Sequence, residues 1–248
     1  MKKKSILCVL TGLVLLSLLA GCSSIYLPNV PATPMLREQG ETYVAGHVNL
    51  KGYLSGSLAV AATDRIAILG NGSYVDQGFH SNTYFKQWLA EGAVGYSTKL
   101  GAKKNRVFEI YGGYGIGHAL QQDKRATTQG YESVESREMG FHKIFIQANY
   151  SSKRDRKINL LGDQRELSFG TAIRMSRIAM NSFQLDGIGH PKEENILIEP
   201  VFYTRLQLIN GLQLQYTSGF NIGLHKNEYL KAGNSVLTLG LVYNFGKK

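Results

Sequence analysis

The 248-residue sequence predicts an all-β fold, an antiparallel up-and-down transmembrane β-barrel of about ten strands (eight to twelve). Three observations carry that expectation. From Glu41 onward, apolar residues alternate with small or polar ones in recurring segments. Gly, Asn, Asp and Lys clusters separate these segments, and no amphipathic helix of useful length appears. The face opposite the apolar one is mostly Ser, Thr, Asn, Gln, Gly and Ala, whereas a water-exposed strand face carries Lys, Glu and Arg.

In order, the expected strands cover 41–50, 53–62, 65–75, 89–99, 107–118, 140–150, 165–177, 195–206, 212–222 and 235–245. Most have the length of a tilted membrane strand, about 9–11 residues. In the last, Leu237, Leu239, Leu241, Tyr243 and Phe245 alternate with Val236, Thr238, Gly240, Val242 and Asn244. The one before sets Leu212, Leu214, Tyr216, Phe220 and Ile222 against Gln213, Gln215, Thr217, Gly219 and Asn221. Pro200 falls inside a strand and cannot donate to its ladder, so a bulge is expected there.

An even strand count puts both barrel ends on one side, which the reading also makes the side where the N-terminal tether begins. Connections near 63–64, 101–106 and 209–211 are short and read as periplasmic; those at 76–88, 119–139, 178–194 and 223–234 are long and read as extracellular. The tight turn at Lys51-Gly52 and the long connection at 151–164 fit this sorting less well.

Alternation alone does not distinguish a membrane barrel from a soluble one with an apolar interior. The small, uncharged second face suits a narrow lumen. Its few charges, Glu91, Glu109, Lys143, Arg174, Glu199 and Arg205, include both signs and could pair inside the lumen.

Lys2, Lys3 and Lys4, the apolar run from Ile6 to Leu19 and the small residues before Cys22 have the layout of a signal peptide spanning 1–21. Leu19-Ala20-Gly21-Cys22 resembles the lipobox of bacterial lipoproteins. That resemblance implies cleavage before Cys22 and a covalent lipid such as palmitate on it, with lipoprotein-processing machinery as a partner. Ser23 lacks the Asp that resembles an inner-membrane retention signal, which points to the outer membrane of a Gram-negative envelope. Removing 21 residues leaves 227, enough for one barrel domain (41–248) behind an extended tether (22–40) that holds Pro28, Pro31 and Pro34. The formal charge of +10 falls by three to +7, and the mature chain keeps no pair of thiols for a disulfide.

At the other end, Thr238, Gly240, Tyr243 and Phe245 fit a polar-x-Gly-x-x-aromatic-x-aromatic pattern. This resembles the signal by which outer-membrane barrels are recognised by their assembly machinery, although Gly246-Lys247-Lys248 follow where such proteins commonly stop. Together with the lipobox and the alternation, the region from Glu41 to Phe245 resembles small bacterial outer-membrane β-barrel proteins. The implied partners are outer-membrane lipids and the barrel-assembly machinery.

No motif demands chemistry. Gly112-Gly113-Tyr114-Gly115-Ile116-Gly117 lacks the Lys-Ser/Thr ending of a phosphate loop and a following helix, so its glycines are expected to make room in the lumen beside Tyr111. His80, His118, His142, His190 and His225 fall in or beside the outer loops with no HxH or HxxxH spacing, and no metal or other cofactor is expected. His118 and His142 could meet Ser133, Ser136 or Glu138 in a rim hydrolase, but triads form in space and the spacing does not require one. Lys103-Lys104 and 153–157 read as solvated basic turns able to meet anionic headgroups, and no basic surface interleaved with aromatics argues for nucleic acid. Tyr43, Tyr53, Tyr74, Tyr84, Trp88, Tyr96, Tyr150, Tyr203, Tyr243 and Phe245 lie near strand ends, where interfacial girdles form or strand preference alone places aromatics. The expected role is structural or surface interaction without catalysis. Alternatives are a narrow channel for ions or small solutes, a rim-located lipid-modifying or hydrolytic enzyme, and a lipid-tethered soluble barrel that binds a small apolar ligand.

Overall fold

The computed structural model describes residues 24–49, 52–78, 82–102, 105–127, 130–153, 157–160, 163–233 and 235–246. The expected signal peptide (1–21) with Leu19, Ala20 and Gly21, and Cys22, Lys51, His80, Lys103-Lys104 and 154–156, lie outside the described residues.

Ten strands close into an antiparallel barrel. They are β1 (Thr42–Val48), β2 (Leu54–Ala61), β3 (Ile66–Gln77), β4 (Thr83–Leu100), β5 (Arg106–Thr127), β6 (Gly130–Lys153), β7 (Leu167–Leu185), β8 (Glu194–Ile209), β9 (Leu212–Phe220) and β10 (Ser235–Phe245). Each pairs with its neighbours in the chain, and β1 closes on β10 from Thr42↔Phe245 to Val48↔Leu239, so among the described residues the barrel has no unpaired edge strand. Two short strands, Ile158–Leu160 and Asp163–Arg165, pair with each other in the β6–β7 connection.

The wall is inside out relative to a soluble barrel. Leu237, Leu239, Leu241, Tyr243 and Phe245 are exposed on β10, while Thr238 and Val242 are buried. On β7, Phe169, Ile173 and Met175 face outward and Ser168, Ala172, Arg174 and Ser176 inward. Tyr74 and Trp88 form a cross-strand outward pair towards one mouth, and Tyr96, Tyr243 and Phe245 face outward towards the other. Tyr43, Tyr53 and Tyr203 do not join such a girdle. Their side chains are buried in the lumen, because position near a strand end does not fix which side of the pleat a residue takes.

The structure corrects three further expectations. First, β4 to β7 run well past the expected upper ends. Above the apolar wall the outward residues turn polar, as at His118, Gln122, Lys124 and Glu138, so alternation stops while ladder pairing continues to Thr127↔Gly130. Second, the ladder from β8 to β7 passes through Pro200, opposite Ile173, without a register shift. It is towards β9 that pairing lapses, between Val201↔Gly219 and Ile198↔Ile222, which relieves the missing donor without a bulge at Pro200. Third, residues 24–36 run inside the barrel, and 37–40 emerge at the far mouth. The segment begins at the mouth formed by the long connections, opposite to the side from which the tether was expected to start. Ile25, Tyr26, Val30, Ala32 and Leu36 are each at most 2% exposed. A segment enclosed on every side shows neither a period of two nor one of 3.6, so in the sequence it is indistinguishable from a solvated linker.

Glycines fix where large residues fit. A Cβ on Gly113 would lie 2.4 Å from Phe145 Cζ and 2.6 Å from Gly92 O, and one on Gly117 would lie 2.4 Å from Phe141 Cζ. The same relation holds across β4 and β5, where a Cβ on Gly95 would lie 2.2 Å from Tyr111 Cδ1. Gly113→Ala is therefore expected to cost about 1–3 kcal/mol by overpacking. Gly112→Ala, with nothing within 4 Å of the added carbon, should stay within about 0.5 kcal/mol of the parent. Urea unfolding in lipid vesicles, followed by the fluorescence of the single tryptophan, Trp88, compares the two.

Candidate functional site

The lumen brings together the N-terminal segment, six charged side chains and the aromatic rings that separate them. Among the described residues the backbone of 24–38 has no strand partner, so lumen side chains take the place of a ladder. At the long-connection mouth Ser24 Oγ donates to Lys231 O at 2.6 Å. Gln87 holds both backbone groups of Leu27, accepting from its N–H at 2.9 Å and donating to its carbonyl at 2.7 Å. Tyr53 OH donates to Pro28 O at 3.0 Å. Gln147 Nε2 and Asn149 Nδ2 both donate to Ala32 O, at 2.7 and 3.1 Å. Arg205 donates to the carbonyl and the hydroxyl of Thr33. The N–H groups of Met35 and Leu36 donate to Glu109 at 3.3 and 3.4 Å. At the far mouth Gln39 and Gly40 bond Asp64, Ala62 and Ala61 around the β2–β3 turn.

Glu91, Glu109, Lys143, Arg174, Glu199 and Arg205 are all buried in this lumen, three acids against three bases. Four form one neutral network. Lys143 Nζ lies 3.1 Å from Glu91 Oε1 and 3.4 Å from Glu199 Oε2, and Arg174 reaches Glu91 Oε2 at 3.1 Å. Gln147, Asn71 and Ser176 satisfy further lone pairs and protons of the network, and Tyr26 OH accepts from Lys143 at 3.0 Å. The network therefore includes a ring carried by the segment. Glu109 stands apart, with Tyr111 OH at 3.0 Å and Asn149 at 3.2 Å beside the two segment amides. The cations also stack on rings: Arg174 lies 4.5 Å from the Phe145 centroid and Arg205 4.7 Å from that of Tyr203. Sequence reasoning found the six charges but missed the segment, which supplies partners to Lys143, Glu109 and Arg205.

The rim residues proposed for chemistry are arranged otherwise. His118 pairs with Glu138 at 2.9 Å and His142 with Asn181 at 2.5 Å, both on the outer side of the wall, and neither meets Ser133 or Ser136. His190 packs edge-on to Phe183, and His225 contacts Glu194 O. Among the described residues no three His, Cys, Asp or Glu side chains converge as metal ligands. In the C-terminal pattern, Thr238 is buried, while Tyr243 and Phe245 project outward with ring centroids 5.5 Å apart. An open cavity of about 240 Å³ lies at the long-connection mouth beside Ile25, Arg137, Glu228 and Tyr229. A larger one, about 720 Å³, lies at the other mouth beside Leu36, Arg37, Asn210 and Tyr243.

Lys143→Met leaves Glu91 with Arg174 alone and strips Glu199 of its cation. The expected destabilisation is about 3–5 kcal/mol, the usual cost of an uncompensated buried charge. Adding Glu199→Gln should recover part of it, and a double-mutant cycle in urea measures the coupling.

No protein-family model matches the sequence, and no curated protein matches it. Among solved structures, the chain is similar to one in the structure of the FpvAI-pyocin S2 complex, with TM-score 0.26 and 10% identity over 86% of this chain and 42% of that one. It is also similar to the siderophore receptor PirA from Pseudomonas aeruginosa, with TM-score 0.21 and 10% identity over 84% and 41%. The chain thus spans about two fifths of the length of these solved chains, and likeness at such scores carries no argument about function.

Proposed function

We propose that this chain is an integral outer-membrane β-barrel, lipid-anchored at Cys22, that serves a structural or surface-interaction role with its lumen occupied by its own N-terminal segment. The observation that carries this reading is a closed belt of exposed apolar side chains. Val44, Leu58, Ile68, Val94, Tyr114, Ile144, Ile173, Phe202, Tyr216 and Leu239, one from each of β1 to β10 in turn, are each between 41% and 59% exposed. An apolar surface that encircles a molecule is far larger than the patches a water-soluble protein tolerates, and acyl chains are its natural solvent. Eight residue steps separate Tyr74 from Ile66 and Trp88 from Tyr96, about 26 Å of strand at ~3.3 Å per residue. After a tilt of about 40° that leaves roughly 20 Å, close to the apolar band of a bacterial outer-membrane barrel.

The alternatives fit less well. A soluble barrel with a small apolar ligand needs its apolar face inside, and the observed faces are reversed. A channel needs a continuous path, and the segment with its hydrogen-bonded partners fills the middle of the lumen. A rim hydrolase needs a nucleophile beside His118 or His142, where Glu138 and Asn181 stand instead.

The wall should hold without its lipid. Cys22→Ala is expected to remain with outer membranes after an alkaline wash and to keep heat-modifiable gel mobility, and a fully soluble product would overturn integral insertion. Leu239→Arg, which places a charge on the belt, should cost about 2–4 kcal/mol if the position lies near the bilayer midplane. Unfolding from vesicles reads that cost. In planar bilayers the full chain should show no conductance above the lipid background.

A further inference from the structure

We infer that the chain is threaded through its own barrel from the surface side, so that the lipid on Cys22 anchors in the outer leaflet beside the long loops, on the opposite side of the membrane from the ends of β1 and β10. This rests on the membrane reading above, and it reverses the usual picture of a tether hanging into the periplasm.

The direction of the segment is fixed at three heights. Ser24 is bonded to Lys231, in the long β9–β10 connection. Ala32 is held at mid-lumen by Gln147 and Asn149. Gln39 and Gly40 are bonded at the short β2–β3 turn, next to which β1 begins at Thr42. The descent needs extended backbone over these residues, and 24–37 form no helix or turn, with one bend at Ile25. Cys22 is two residues from Ser24, so covalent geometry holds its Cα within about 7 Å of it. A diacylated cysteine at that point has the barrel wall, and beyond it the outer leaflet, as its nearest apolar surroundings. The inner leaflet lies the full height of the barrel away.

The threading also constrains the order of assembly. Signal cleavage and acylation act on the N-terminus before or at its arrival at the outer membrane, and a closed barrel whose lumen is packed with Tyr26, Tyr111, Phe141 and Phe145 cannot pass acyl chains afterwards. The strands must therefore close around a segment that is already in place. Glu109 and Arg205, buried charges, draw hydrogen-bond partners from that segment that only its presence supplies.

The test uses the full chain in intact cells, with an epitope inserted at one of three places: between Ser23 and Ser24, after Lys226 in the β9–β10 loop, or at Asp155 in the β6–β7 connection. An added membrane-impermeant protease should remove the first two epitopes and spare the third until the outer membrane is permeabilised. An alkyne fatty acid should label the protein, and Cys22→Ala should abolish the label. If the loop epitope is removed but the N-terminal one is spared, the threading inference is overturned while the membrane barrel stands. If the loop epitope is spared, the proposed orientation fails and the inference with it. Absence of fatty-acid label removes the lipid from the proposal. If the N-terminal insertion loses heat-modifiable mobility, Ser23→Lys serves instead: surface labelling with a membrane-impermeant amine reagent, mapped by mass spectrometry, should modify that lysine on intact cells, and lack of modification overturns the inference.

Discussion

The constraint on which the rest of the structure depends is the width of the lumen. An eight-stranded barrel can be filled by the side chains of its own wall, and each added strand widens the interior. With ten strands there is room left over, and an interior void would forfeit the contacts of every residue lining it. Residues 24–36 supply the missing atoms, and Ile25, Tyr26, Val30, Ala32 and Leu36 become core residues of a barrel whose strands begin only at Thr42. The filling is not apolar alone, because an extended chain brings a backbone donor and acceptor at almost every residue. Those groups are met by Gln87, Gln147, Asn149, Arg205, Glu109 and Tyr53, so many of the polar positions that face inward serve the segment directly.

The lumen charges follow from the same constraint. A barrel that conducted water could leave its charges solvated, whereas an occupied one must neutralise them in place. Three acids and three bases achieve this, and the four-membered network spans four different strands: Glu91 on β4, Lys143 on β6, Arg174 on β7 and Glu199 on β8. A buried network of this kind is weak evidence for stability, since its desolvation cost is large. Its value here is positional. Tyr26 OH on Lys143 and Thr33 on Arg205 tie the register of the segment to the register of the wall, so a slipped segment would leave buried charges short of partners.

The wall was legible in the sequence because one physical rule, apolar outside and small or polar inside, acts on every second residue of every strand. Ten spans and the inward position of all six charges follow from that rule alone. It stops where the apolar belt stops, which is why the upward extensions of β5 and β6 could not be seen. A different signal was present for β7. Asp186-Gly187, with φ of 50° and 79°, forms a tight hairpin turn of the kind the Asp-Gly pair favours, and it would have carried that strand to Leu185. The segment was opaque for a deeper reason. Its partners come from β2, β4, β5, β6 and β8, so no local pattern encodes its burial, and its three prolines argued for a linker with equal force.

An occupied lumen shifts the functional weight of the molecule to its rim. The wall presents its apolar belt outward and the interior is tied up in mutual contacts, which leaves the two mouths free to meet something else, and the long-connection mouth projects further. There β5 and β6 stay paired beyond the first residue of β4, where Thr83 faces Asp123, and Arg137 pairs with Asp123 at 3.1 Å to stiffen the projection. Tyr131 and Val134 are exposed near its tip. A hairpin held by ladder pairing presents these side chains with less entropy to lose on contact than an irregular loop would, since its backbone is already ordered. With the start of the segment bound to the neighbouring β9–β10 loop through Ser24 and Lys231, a displacement of that loop would pull on the same chain that packs the lumen. Rim and core are thus one mechanical unit.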